Sequence, residues 1–539
     1  MKSIKLVAVF ICSLGLMACG SSLGTETLVV TPPASALTMS FTPTKAFRFT
    51  WPAATGATYY NLKEAATVGS GYTLVKKTTA TSFDHVVPLY ARLNAKYILE
   101  SCSDTACSTS TAIFTSTKLA AMSSSIGLIR ATTPVKDNMF GWNISLSSDG
   151  STLAVAAQQA TVDTKAKAGE VSIFKQSVSG TDWVHQQTIK ASDGVASDEF
   201  GHRVSLSADG NVLAVSTLLD DSKTGSVYIF NRAGTTWAEK KKLRASDAAI
   251  GNYFGESLSL SADGGTLAVG QFDNDSAVHK GSVYVFTGSG ASWTEQYIAT
   301  AKTDAGNPDA TAGDQFGRSI SLSSDGNILA VGAPFEEATG TTNNKGAVYI
   351  FNRTGTSWSQ KKKLTASTRG NDDQFGYSLS LSNDGASLAV GAPMEDGTSP
   401  VISNSGSVYF FNGSGATWTE NAILRADNAG VGDGFGISVS LNSDGTILAV
   451  SAPMEDSIST VMNTAGTDTA NFNSGAVYVF TGSVATWAQQ AYLKASNAGL
   501  EDEFGYNLSL SSDGTVLAVG VYEEDFSGSI TESGAVYLY

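Results

Sequence analysis

Carboxylates are the chemically capable side chains that this sequence gathers most often. Glu336-Glu337, Glu395-Asp396, Glu455-Asp456 and Glu523-Glu524-Asp525 each follow a short apolar run. Asp198-Glu199, Asp372-Asp373 and Glu501-Asp502-Glu503 stand just before Phe-Gly pairs. On loops held by a rigid scaffold, such acids are candidate ligand contacts, and their plain alternative is a solvated surface. Little else could do chemistry. His85, His185, His202 and His279 are scattered, and Cys12, Cys19, Cys102 and Cys107 lack zinc-ligand spacing. No Gly-x-Ser-x-Gly elbow or phosphate-binding glycine loop with a following lysine occurs. No catalytic residue, metal or cofactor is therefore assigned. The expectation is a protein that binds and does not catalyse.

The chain must hold these acids on loops. Its 539 residues exceed one ordinary domain. Glycine numbers 54 and charged residues make up only 15%. Ser, Thr, Gly, Asn and Asp separate short apolar runs, which predicts an all-β protein rich in turns. The formal net charge is −15; without Lys2 and Lys5 of the leader described next it becomes −17. A nucleic-acid partner needs basic surface, so none is expected.

Residues 1–18 read as a leader, with basic Lys2 and Lys5 followed by an apolar stretch too short to span a bilayer. Leu16-Met17-Ala18-Cys19 resembles the bacterial lipobox, which implies acylation of Cys19 and attachment to a membrane by lipid. Gly20 after the cysteine points to the outer membrane. Residues 19–40 read as a tether containing Pro32-Pro33.

Residues 41–118 show short alternating strands, including Phe47–Trp51, Ala57–Leu62 and Tyr97–Cys102. The order resembles a fibronectin type III β-sandwich. The resemblance makes Trp51 and Tyr60 a core pair and gives Leu93 and Tyr97 the corner that opens the sixth strand. Cys102 and Cys107 flank four residues, and after export they are expected to form a disulfide across the sixth and seventh strands.

The remainder repeats. Phe-Gly pairs begin at Phe140, Phe200, Phe254, Phe316, Phe375, Phe435 and Phe504. Each is followed by a Ser/Leu alternation, an Asp-Gly turn, a Leu-Ala-Val run, a Val-Tyr-x-Phe or similar strand and, in most units, a strand starting at Trp. Four strands per unit bury their faces only against neighbouring units, which radial stacking achieves. The expected architecture over 126–539 is a seven-bladed β-propeller. The last unit lacks its Trp strand, and residues 126–131 (Ile-Gly-Leu-Ile-Arg-Ala) are the candidate to complete it.

The Phe-Gly starts and segments such as Leu329–Pro334 and Leu388–Pro393 resemble FG-GAP repeats, as in integrin α-subunits. That family often carries a calcium loop of Asp-x-Asp-x-Asp-Gly between strands one and two. Here the loop is only Ser-x-Asp-Gly, too poor in oxygen ligands, so no calcium site is carried over. A WD-type propeller is the second choice of fold. The expected function is adhesion or binding, with the acidic rim presented by a monomer to a protein or glycan partner. A periplasmic assembly scaffold and a propeller hydrolase are the rivals.

Overall fold

The structure, a computed structural model, describes residues 34–539 except 42–45, 68, 124, 178–181, 272–280, 303–313, 338–342, 369, 398–400, 465–471 and 527–529. The expected leader, Cys19, most of the expected tether and His279 lie outside the described residues.

Two antiparallel sheets come first. One pairs Thr38–Phe41, Ala46–Thr50 and Ser82–Val86. The other orders Thr73–Thr78, Tyr59–Ala65, Lys96–Cys102 and Cys107–Thr109, with Ile113–Phe114 also on Lys96–Cys102. Alternation puts Phe47, Phe49, Leu62, Tyr97 and Leu99 wholly inside. Trp51 packs 5.6 Å from Tyr60. The Tyr97 hydroxyl donates to Glu64 at 2.5 Å. Cys102 and Cys107 face each other across the last strand pair and are joined by a disulfide.

Seven four-stranded antiparallel sheets follow. The first is Phe140–Leu146, Thr152–Ala157, Glu170–Gln176 and Trp183–Ile189. The seventh consists of Asn507–Leu510, Leu517–Val521, Ala535–Leu538 and, from the other end, Gly127–Ile129. There Ile129 pairs with Val536 and Gly127 with Leu538.

Burial explains the sequence of each unit. In the fourth sheet, Leu329, Ala330 and Val331 of the second strand and Val348, Tyr349 and Ile350 of the third have no exposed surface. Both strands lie between neighbouring sheets, so they read as continuous apolar runs. The fourth strand, Ser357–Leu364, alternates exposed and buried positions at the outer edge and carries a lysine run. Phe316 packs edge-on against Tyr349, 5.4 Å between centroids.

Adjacent sheets are joined by polar contacts that recur seven times. The serine five residues after each Phe of Phe-Gly accepts a backbone N–H from the next sheet. Ser145 takes that of Leu206 at 3.0 Å. The bond repeats for Ser205–Leu260, Ser259–Leu322, Ser321–Leu381, Ser380–Leu441 and Ser440–Leu510. It returns to the start with Ser509 and Leu146, again at 3.0 Å. The Ser-x-Asp-Gly turns form a second series, in which Ser148 N–H donates to Ala208 and, six steps on, Ser512 N–H donates to Ser148. Within a turn, Asp325 accepts the Ser323 hydroxyl at 2.6 Å and the Asn327 N–H at 3.0 Å, while Gly326 takes φ +67°. Gly534 has no alternative either. A Cβ there would stand 1.9 Å from the Phe140 carbonyl oxygen of the adjoining sheet.

The two-sheet unit shares a core with the sixth and seventh sheets. Met122 and Ile126 of the connection lie in one apolar cluster with Leu93, Leu493, Phe504 and Tyr539. Met462 N–H donates to Ser123 Oγ at 3.0 Å.

Candidate ligand-binding face

The two rims of the sheet assembly differ. One is made of near-identical Ser-x-Asp-Gly turns and short three-to-four hairpins. The other collects the four-to-one and two-to-three loops, and the sequence places its acidic candidates there.

The structure takes four of those candidates out of reach. Glu336, Glu395, Glu455 and Glu524 are 4%, 4%, 1% and 1% exposed. Each meets a cation near the end of its own sheet's fourth strand: Lys363 at 2.6 Å, Arg425 at 2.7 Å, Lys494 at 2.7 Å and Arg130 respectively. Third-strand tyrosines add hydroxyl donors, Tyr409 to Glu395 and Tyr537 to Glu524. A carboxylate this enclosed needs those partners, so the four belong to the scaffold and not to an exposed acidic rim. The following acids tie the two-to-three loops. Asp396 accepts the Asn404 N–H at 2.9 Å, Asp456 that of Asn473 at 2.9 Å and Asp525 that of Glu532 at 3.0 Å. Glu337 and Glu523 are half-buried, while Asp396 and Asp525 are exposed.

Two of the acids before Phe-Gly, Asp373 and Asp502, are also structural. Asp502 accepts the Gly499 N–H at 2.6 Å. Burial and the nearby Glu524, Asp525 and Glu523 push its carboxyl up to about 7. Asp373 occupies the equivalent place in the fifth sheet and is pushed up to about 6, first by burial and then by Glu395 and Asp396. Among the described residues, the cluster of metal-ligating types is Glu100, Cys102 and Cys107, and the disulfide occupies both sulfurs.

The rim also exposes apolar side chains. Val135, Val195, Ile250, Val431 and Leu500 are 48%, 55%, 79%, 73% and 61% exposed. Each stands four or five residues before the Phe of a Phe-Gly pair, so they crown five of the seven sheets at matching places. Val401, Ile458 and Phe526 add exposed side chains from the two-to-three loops.

At the centre of this face the inner strands converge. The residue after each Phe-Gly pair is Trp142, His202, Glu256, Arg318, Tyr377, Ile437 or Tyr506, in sheet order. The sequence suggests only a variable position, because six residue types occupy the seven places. The inner-strand geometry brings them to one mouth. Arg203, Arg318, Tyr377 and Tyr506 line a cavity of about 270 Å³. Ile144, Val204, Ile320 and Leu508 are among the aliphatic side chains that line it too.

The mouth has two halves. On one, Glu256 is 1% exposed and meets His202 at 3.2 Å, Arg203 at 3.5 Å and Arg318 in close contact. His202 also contacts Gln158 at 3.3 Å. Burial, Arg203 and Arg318 hold the imidazole pKa well below its usual value, so it is neutral. On the other half, Trp142 lies 5.0 Å from both Tyr506 and Tyr522. The Arg318 guanidinium lies over the Tyr377 ring at 5.5 Å.

The FG-GAP repeat family matches six segments: 183–230, 237–286, 293–351, 358–411, 418–480 and 487–539. The chain belongs to the FG-GAP repeat family. Each FG-GAP segment begins on the Trp strand of one sheet and ends on the third strand of the next, or at the chain's last residue. The chain is also similar to mouse integrin alpha-X, with 31% identity over 211 residues. That match covers 35% of this chain and 17% of the integrin, so the chain spans a small part of that relative. Among solved structures, a periplasmic gluconolactonase of Pseudomonas aeruginosa aligns at 14% identity and TM-score 0.42, covering 82% of this chain and 98% of that one. An oligogalacturonate lyase of Vibrio parahaemolyticus aligns at 10% identity and TM-score 0.43, covering 77% and 93%.

Proposed function

We propose that this FG-GAP protein is a binding module, a closed seven-bladed propeller that presents its loop face to a protein or glycan partner. The observation that carries this is the asymmetry of the two rims. The repeated exposed aliphatics, the irregular loops and the open mouth all fall on one face, and rigid scaffolds concentrate contacts on such loops. Closure is supported by the two hydrogen-bond series that return from the seventh sheet to the first. The fibronectin type III-like unit docks beside sheets six and seven as a spacer or second contact module. The lipobox-like Leu16–Cys19 supports lipid anchoring, with Gly20 favouring the outer membrane.

Protease shaving of intact cells that make the full chain tests this, followed by blotting for the propeller. Degradation before lysis supports adhesion at the outer surface. Protection until lysis overturns it in favour of a periplasmic scaffold. Replacing Ile250, Val431 and Leu500 together with Asp should abolish adhesion of the displayed protein while leaving its melting temperature unchanged. Adhesion that survives this change rules out the loop face.

A further inference from the structure

We propose that the channel mouth is a binding site for an acidic sugar, a pyranose ring bearing a free carboxylate. This inference rests on the loop face being the binding face and names the chemistry received at its centre.

The argument begins with Arg203. The residue three places after the Phe of Phe-Gly is Asn143, Ser257, Ser319, Ser378, Ser438 or Asn507 in the other sheets. Most of these side chains bond the next sheet: Asn143 accepts the Val204 N–H, Ser257 donates to the Gly317 carbonyl and Ser319 to that of Gly376. Arg203 alone replaces this small linker with a long cation that lines the cavity. It donates to the His202 carbonyl at 3.1 Å. Its contact with Glu256 is 3.5 Å, and Arg318 already engages that carboxylate closely. A guanidinium held there can take a carboxylate through two parallel N–H groups. Arg203 and Arg318 share the single Glu256 carboxylate, which leaves one positive charge in excess at the cavity of a chain whose net charge is −15.

The opposite half supplies the second element of the ligand. Tyr377 and Tyr506 line the same cavity as Arg203, and Trp142 packs behind Tyr506. Aromatic faces take the C–H face of a sugar ring, and phenol hydroxyls bond its hydroxyl groups. The volume is near the low end of ligand pockets, roughly 300–1,000 Å³, which suits one sugar residue at a chain end.

Calorimetry and ligand-observed NMR on the full soluble chain test this with galacturonate, glucuronate, galactose and benzoate. Saturable binding of at least one uronate is expected, with galactose and benzoate at least tenfold weaker. Arg203→Ser restores the small side chain found in four other sheets and should weaken uronate binding at least tenfold at an unchanged melting temperature. Arg203→Lys keeps the charge but loses the fork, and should also weaken it. No uronate binding overturns the site, as does binding that both variants leave intact. Benzoate binding as well as the uronates overturns the sugar assignment. The triple Asp variant of Ile250, Val431 and Leu500 separates the two readings. It should lose adhesion and keep uronate binding, so failure of either is seen independently.

Discussion

Ser509 Oγ accepts the backbone N–H of Leu146 at 3.0 Å, although 363 residues separate them in the chain. It is the same bond that links every other neighbouring pair of inner strands. Here it links the last four-stranded sheet to the first. Tyr539, the final residue, is wholly buried and ties the seventh sheet to the sixth, donating its hydroxyl to the Lys494 carbonyl at 2.6 Å. Deleting the last ten residues removes the third strand of the seventh sheet and the pairing partner of Gly127–Ile129. Such a chain should lose cooperative unfolding by calorimetry, whereas Ser509→Ala should cost only about 1 kcal/mol. A truncated chain that unfolds like the full one would show that the sheets do not depend on closure.

The repeat, its four strands and its turns were legible because local chemistry dictates them. In the fourth unit the alternation of Ser319–Leu322, the Asp325-Gly326 turn and the apolar run Leu329–Val331 together point to a hairpin of two strands. The partner strand of the last sheet was legible for a related reason, since Ile126–Ala131 resembles the end of a Trp strand. Four of the acids, Glu336, Glu395, Glu455 and Glu524, are buried because each has a partner that sequence does not show. Glu336 and Glu337 look alike, but only Glu336 meets Lys363, 27 residues away on another strand. The mouth was invisible because its residues match in position and not in type. Only convergence of the inner strands puts Arg203 and Tyr506 around one cavity.

Among the described residues Glu455 and Lys494 form the most enclosed of the ion pairs, with side chains 2% and 0% exposed. Lys494 also donates to Ser474 Oγ at 2.7 Å and the Gly475 carbonyl at 2.6 Å. Removing one partner strands a charge, so Glu455→Gln or Lys494→Met alone should cost about 3–5 kcal/mol. The double replacement should cost less than the sum. A denaturant double-mutant cycle measures this, and strict additivity would refute coupling between the two groups.

Met122 lies in the connection between the two-sheet unit and the propeller-like part, yet has no exposed surface. A loose linker would be cut readily by protease. Residues 115–126 should instead resist cleavage under native conditions. Met122→Ala should cost about 2–5 kcal/mol at this junction and open it to protease, with two stable fragments on a gel. Equal cleavage of the native chain and the variant would show that the junction is not held by packing.

Asp502 makes stability depend on pH. Its folded carboxyl is pushed up to about 7, first by burial and then by its acidic neighbours, whereas an unfolded aspartate titrates near about 3.9. Between those values the folded chain holds a proton that the unfolded chain lacks. Stability therefore declines as pH rises through this window and recovers on acidification. Asp373, pushed up to about 6, acts in the same direction. The melting temperature should rise as pH is lowered from about 8 to about 5.5, a range in which ordinary carboxylates stay ionised. Asp502→Asn keeps an acceptor for the Gly499 N–H and removes the charge. It should melt higher than the native chain at pH 8, with the gap closing towards pH 5.5. Parallel melting curves for the two proteins across that range would show that Asp502 carries no net electrostatic cost in the fold.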